Sequence, residues 1–141
     1  MNDFLHIKSN DTLLDLLNYF DVQSKLNQYP DLAIFIKNKK IKGILTLGDL
    51  RRIRKNKINF KKKAINYLNE NPIVLKYGIL ENNKFNYINN LCKKKKLNTD
   101  RLKYIFEVDK NSNFLGVIDG QNFLTDYKHK RICLIGMGFV G

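Results

Sequence analysis

Tryptophan is absent from this chain, and cysteine, proline, histidine and methionine each occur only twice in 141 residues. Cys92 and Cys133 have no C-x-x-C spacing and no histidine pattern beside them, which argues against a zinc site and against a disulfide scaffold. A reduced, cytoplasmic setting is the expectation. His6 and His129 stand alone, with no serine or cysteine nucleophile in a recognisable signature, so a hydrolytic triad has no support. No apolar run approaches the length of a membrane span, and the stretch from Met1 to His6 lacks the basic and apolar regions of a secretory leader. A soluble protein with no membrane partner is expected.

Acidic residues are also scarce, 13 against 26 lysines and arginines, for a formal charge of +13. Such a surplus favours anionic partners in general, although the abundance of Lys, Asn and Ile equally fits a coding bias toward AT-rich codons. The runs Lys61 to Lys63 and Lys93 to Lys96 are not interleaved with aromatics and have the look of solvated helix faces, so nucleic acid is not expected as a partner.

What the chain does have is 43% hydrophobic residues, enough to build the core of one compact domain or of two small, closely packed repeats. Two repeats are favoured by a heptapeptide pattern that occurs twice, from Gly43 to Asp49 (Gly-Ile-Leu-Thr-Leu-Gly-Asp) and from Gly116 to Asn122 (Gly-Val-Ile-Asp-Gly-Gln-Asn). Each copy follows an apolar run and a polar turn. An internal duplication of this kind implies two stacked copies of one small α+β unit with a cleft shared between them.

The order of elements can be read along the chain. Leu5 to Ile7 reads as a short strand, and Asn10, Asp11 and Thr12 offer capping oxygens ahead of a helix whose apolar positions are Leu13, Leu14, Leu16, Leu17 and Phe20. Leu32 to Ile36 and Ile41 to Leu47 form a hairpin across the turn Lys37 to Lys40, after which Gly48 and Asp49 cap a helix beginning at Leu50. Phe60 to Tyr67 reads as helical up to the break imposed by Pro72. A second series follows: a strand at Ile73 to Leu75, a helix at Asn83 to Lys94, and a hairpin of Tyr104 to Val108 and Phe114 to Ile118 about the turn Asp109 to Asn113.

The strand that opens with glycine and closes with Thr46 and, three residues on, Asp49 resembles the end of a CBS repeat, the βαββα module that works in pairs called Bateman modules. The run from Thr46 to Arg52 is similar to the T-D-G-D-[IL]-R-R variant of pairs attached to sugar-phosphate isomerases and sugar nucleotidyltransferases, with Leu47 in place of the first Asp. The phrase from Asn66 to Leu75 resembles the M-N-x-N-P-I-x-V segment that opens a second CBS repeat. The resemblance implies tandem βαββα repeats packed pseudo-symmetrically, the first over residues 1–68 and the second over 69–127.

It also implies a site for an adenine nucleotide, AMP or ATP, as regulatory ligand. Asp49 would accept hydrogen bonds from the ribose hydroxyls, Thr46 would meet phosphate, and Arg51 or Arg52 would be phosphate partners. In the second copy Asp119 stands where Thr is expected and Asn122 where Asp is expected, so that half-site is the weaker one. The plainer account of Thr46 and Asp49 is that they end a strand and cap a helix with no ligand involved. A homodimer through the repeats is the implied assembly.

Residues 128–141 fall outside this resemblance. The apolar run from Ile132 to Ile135 feeds into Gly136, Gly138 and Gly141, a G-x-G-x-x-G spacing that looks like the first strand and turn of a Rossmann domain of the UDP-glucose or GDP-mannose dehydrogenase kind. A working dinucleotide site needs the helix that follows and an acidic residue about 20 positions on. NAD is therefore expected only in a longer parent polypeptide, and the chain itself is expected to be a regulatory module with no catalytic residue. Two alternatives remain open at this point. One is a fragment of a nicotinamide-dependent nucleotide-sugar dehydrogenase; the other is a purely structural dimerisation module with vestigial clefts.

Overall fold

A computed structural model describes residues 3–128. His129, Cys133, the strand expected up to Ile135, and Gly136, Gly138 and Gly141 lie outside the described residues. The chain divides into two compact units, Met1–Pro72 and Ile73–Gly141.

The first unit runs β1 (Leu5–His6), α1 (Leu13–Gln23), β2 (Leu32–Lys37), β3 (Lys40–Thr46) and α2 (Leu47–Lys55). Its sheet has the order β1-β2-β3, with β1 parallel to β2 and β2 antiparallel to β3. The apolar spacing of α1 places Leu13, Leu16 and Phe20 on one face, where they are buried against Leu5, Ala33, Leu45 and Leu50. Each such side chain taken fully out of water contributes about 1.5 to 3 kcal/mol. Leu32 and Ile34, which project to the other face of the sheet, are buried as well, which accounts for the unbroken apolar run of β2.

The second unit repeats the plan with β4 (Val74–Leu75), α3 (Lys84–Lys94), β5 (Tyr104–Val108), β6 (Phe114–Asp119) and a helix, α4, over residues 120–128. Its sheet has the order β4-β5-β6 with the same parallel and antiparallel pairings. The correspondence is detailed. Leu32 pairs with Thr46 as Tyr104 pairs with Asp119, and both hairpins shift register at the matching place, between Phe35 and Ile36 and between Glu107 and Val108. The N–H of Leu47 donates to the carbonyl of Asp31 at 3.0 Å, and that of Gly120 donates to the carbonyl of Lys103 at 2.7 Å. The βαββα order expected from the sequence is thus present twice. Ile73, Leu75, Ile88, Cys92, Leu102 and Ile105 form the second core, so Cys92 is a buried packing residue.

Three expectations need correction. The first is the end of β3: the strand stops at Thr46 and α2 begins at Leu47, because Thr46 itself is the N-cap and draws the following residues into the first turn. The second is Phe60 to Tyr67, of which only Ala64–Tyr67 is helical, as a 3-10 turn. The carbonyls of Phe60 and Lys62 accept the N–H groups of Leu14 and Leu13 at 2.9 and 3.0 Å, so this stretch supplies partners for the otherwise orphaned donors of α1 instead of coiling on itself. The third concerns Asn69, placed by the sequence at the opening of the second repeat. It exchanges backbone hydrogen bonds with Ile44 in both directions, at 2.9 and 3.0 Å, and so belongs to the first unit, which runs to Pro72.

Candidate functional site

The site is built where β3 turns into α2. Thr46 is extended, with φ −104 and ψ 164, and its hydroxyl accepts the N–H of Asp49 at 3.1 Å. In return, Oδ2 of Asp49 accepts the N–H of Thr46 at 2.9 Å. This reciprocal pair is a capping box, which satisfies donors at the helix start and favours a negative charge at the positive end of the helix dipole. The other oxygen of Asp49, Oδ1, accepts from the guanidinium of Arg52, one turn along the helix. The side chain of Asp49 is 18% exposed and that of Arg52 is 74% exposed.

Asp49 and Arg52 line one wall of a cleft of about 300 Å³, together with Ile53 and Asn56. These four positions follow the i, i+3, i+4, i+7 spacing that puts side chains on one helical stripe. Tyr67, Leu68 and Asn69 form the facing wall. That wall is held close by the antiparallel bridge between Asn69 and Ile44, and Gly43 makes the approach possible. A Cβ at Gly43 would lie 2.6 Å from Cβ of Leu68 and 3.1 Å from the carbonyl oxygen of Asn69. A larger hollow at the end of α1, about 560 Å³ and lined by Phe20, Lys25, Pro30 and Leu47 among others, includes neither Thr46 nor Asp49.

The cleft therefore presents a carboxylate, a guanidinium, two side-chain amides, an aromatic ring and two aliphatic side chains. A carboxylate accepts hydrogen bonds from a pair of hydroxyls, a guanidinium matches phosphate oxygens, and aliphatic and aromatic groups cover a flat base. Of the residues singled out in the run from Thr46 to Arg52, Thr46, Asp49 and Arg52 are joined by hydrogen bonds, and Asp49 and Arg52 line the cleft whereas Thr46 does not. Arg51 is exposed on α2 and does not line the cleft. Ile53, Asn56, Tyr67, Leu68 and Asn69 were not foreseen. The helical spacing from Asp49 could have identified Ile53 and Asn56, whereas Tyr67 to Asn69 are set by a bridge to a distant strand.

In the second unit Asp119 is the corresponding cap. Its Oδ1 accepts the N–H of Asn122 at 2.9 Å, and Asn122 is exposed. Gln121 is tied down differently, its amide donating to the carbonyls of Leu102 at 2.9 Å and Asp100 at 3.0 Å. The glycine that a close approach requires has also moved: Gly116 has open space where a Cβ would stand, while a Cβ at Gly120 would lie 2.2 Å from the carbonyl oxygen of Leu102. Among the described residues there is no cluster of three or more potential metal ligands, and no helix is long and apolar enough to cross a membrane.

No protein-family model matches the sequence, and no curated protein does. Solved structures do match. The CBS domain protein from Pyrobaculum aerophilum complexed with AMP is 12% identical, with a TM-score of 0.58 over 84% of this chain and 82% of that one. CBSX2 in complex with AMP is 13% identical, with a TM-score of 0.61 over 92% and 90%. The cytosolic domain of the Mg2+ channel MgtE in complex with ATP is 12% identical, with a TM-score of 0.63; the match covers 90% of this chain and 46% of that one. The fold of this chain is that of a CBS domain pair.

Proposed function

We propose that the chain is a regulatory module that binds an adenine nucleotide, AMP or ATP, beside Asp49 and passes that occupancy to an attached enzyme of nucleotide-sugar or sugar-phosphate metabolism. The observation that carries the reading is the cleft itself, in which the Asp49 carboxylate and the Arg52 guanidinium lie on one stripe opposite Tyr67 and Leu68. Several solved structures with this fold are complexes with AMP or ATP, which supports the choice of ligand class. The mechanism is linkage. A nucleotide that binds one arrangement of the module more tightly than another shifts the balance between them, and the attached domain responds to that shift.

Titration calorimetry of the full chain with AMP and with ATP tests this reading. The expected result is saturable binding at one nucleotide per chain; no binding of either at millimolar concentration overturns it. The enzyme attachment is tested by the coding sequence beyond Gly141, where a helix and an acidic strand end are expected and an immediate stop codon is the contrary result.

A second reading, a dimerisation module, is favoured by Leu14, Val22 and Leu26, which are 44%, 76% and 72% exposed on α1 and the turn that follows it. The two readings are compatible. A homodimer by analytical ultracentrifugation that forms equally with and without nucleotide, in a chain that binds none, would leave the structural role alone standing.

A further inference from the structure

We propose that the exposed face of α2, with the segment that follows it, is a docking surface for double-stranded nucleic acid, held through its phosphates and without regard to base sequence. The surface lies outside the nucleotide cleft and stands or falls independently of it.

Arg51, Arg54 and Lys55 follow the i, i+3, i+4 spacing and share one exposed stripe of α2, while Leu50 is buried in the first core. Lys57 and Lys61 to Lys63 extend it and are exposed as well. The N–H groups of Lys57 and Ile58 donate back to the carbonyls of Arg54 and Ile53 at 3.0 and 3.4 Å, so the chain stays against the end of α2 after the helix stops. Lys61 to Lys63 are then held at the start of α1, whose Leu13 N–H bonds the carbonyl of Lys62. No acidic residue interrupts the chain from Leu50 to Asn69, and none of these seven cations has an ion pair among the described residues. Arg52 is left to the cleft and to Asp49.

A general surplus of lysine does not account for this cluster. Three of the five arginines of the chain stand in α2, whereas α4, the equivalent helix of the second unit, has one lysine and one aspartate and no arginine. The guanidinium fork matches phosphate oxygens, so an arginine face points to a phosphate-bearing partner. Single strands are bound on exposed aromatic platforms, and peripheral lipid binding commonly adds apolar groups that insert. This surface offers neither, because Ile53, Ile58 and Phe60 are packed against the first core. A duplex requires only charge at the spacing of its phosphate rows. The lysine runs alone gave no reason to expect nucleic acid; the arginine stripe continuous with Lys61 to Lys63 does.

The experiment is fluorescence anisotropy of a labelled DNA duplex of about 24 base pairs, titrated with the full chain at salt from about 50 to 200 mM. The wild type is expected to bind with a Kd on the order of 10 μM at the lowest salt, weakening steeply as salt rises. A variant combining Arg51→Gln, Arg54→Gln and Lys55→Gln should bind about tenfold more weakly or worse there, and the slope of log K against log salt should flatten by about 2 to 3. The control combines Lys93→Gln, Lys94→Gln and Lys96→Gln, which removes the same charge at the end of α3 and just beyond it. Its slope should stay within about 1 of the wild type. Unfolding midpoints verify that both variants are folded, and vesicles containing phosphatidylserine form a parallel arm. Equal losses in the two variants would assign the binding to net charge and overturn the surface. Vesicle binding without duplex binding, or no duplex binding by the wild type at the lowest salt, would overturn it too, and AMP calorimetry would be unaffected by either result.

Discussion

The side chains of Thr46 and Asp49 each hold the other's backbone, with the N–H of Asp49 3.1 Å from the Thr46 hydroxyl and the N–H of Thr46 2.9 Å from the Asp49 carboxylate. The same two distances recur between Thr12 and Asp15 at the start of α1. Thr46 and Asp49 are therefore fully explained as a cap, and what distinguishes them from Thr12 and Asp15 is the cleft onto which Asp49 opens.

That contrast separates cap from ligand contact. Asp49→Ala and Asp15→Ala each remove one half of a capping box, and each is expected to lower stability by about 1 kcal/mol. Only Asp49→Ala should also weaken AMP, by roughly tenfold or more, because it removes a charged acceptor. Urea unfolding and calorimetry on the two variants measure both quantities. Equal nucleotide affinity in the two would mean that Asp49 is a cap and nothing else.

The two glycines that open the heptapeptides are equivalent in sequence and unequal in space. A methyl at Gly43 would meet Leu68 at 2.6 Å, pushing back the wall formed by Tyr67, Leu68 and Asn69. Gly43→Ala should cost about 1 to 3 kcal/mol, as overpacking does, and should reduce AMP affinity along with stability. Gly116→Ala meets nothing within 4 Å and should be neutral or slightly stabilising, since it reduces the freedom of the unfolded chain. Thermal unfolding of both variants is the check, and a larger loss at Gly116 would contradict the structure.

This inequality marks how far the sequence could be read. The hairpins and both helices with strong apolar spacing are local patterns, and they stand where alternation and periodicity put them. The start of α2 was obscured because Leu47 prolongs the apolar pattern of β3, and only the side-chain bonds between Thr46 and Asp49 decide that the strand ends one residue earlier. Phe60 to Lys63 carries a helical pattern, yet its carbonyls are claimed by α1. The facing wall of the cleft depends on a bridge between Asn69 and Ile44, two residues far apart in the chain, and no local signal announces it.

The hairpin between β2 and β3 turns on Asn38 and Lys39, with φ of 54° and 65°. A two-residue turn with both residues left-handed suits asparagine followed by glycine. Lysine at the second position carries a steric cost that glycine lacks, partly offset by glycine's greater loss of freedom on folding. Lys39→Gly is expected to raise stability by about 0.5 to 1 kcal/mol, read as a higher urea midpoint at unchanged slope. A lower midpoint would show that the turn is held by contacts of the lysine side chain.

The longer turn between β5 and β6 is organised by Asp109, whose Oδ1 accepts the N–H groups of Asn113 at 2.9 Å and Asn111 at 2.8 Å. The backbone bond from Asn113 is the largest influence and, with the bond from Asn111, the side-chain amide of Asn113 and the charge of Lys110, outweighs the opposing effect of burial and holds the carboxyl below its ordinary value. A carboxyl depressed in the folded state binds fewer protons there than in the unfolded chain, so its contribution to stability is fully present above the unfolded value near pH 3.9. It declines as the pH falls through that value and is lost below the folded one. Asp109→Ala should therefore be less stable than the wild type at pH 6, with the difference shrinking in acid as the wild-type carboxyl is protonated. Urea unfolding of the two proteins from pH 6 to pH 3 measures that difference directly, with the other carboxylates common to both. A gap that stayed constant or widened in acid would mean that the charge on Asp109 contributes nothing to holding the turn.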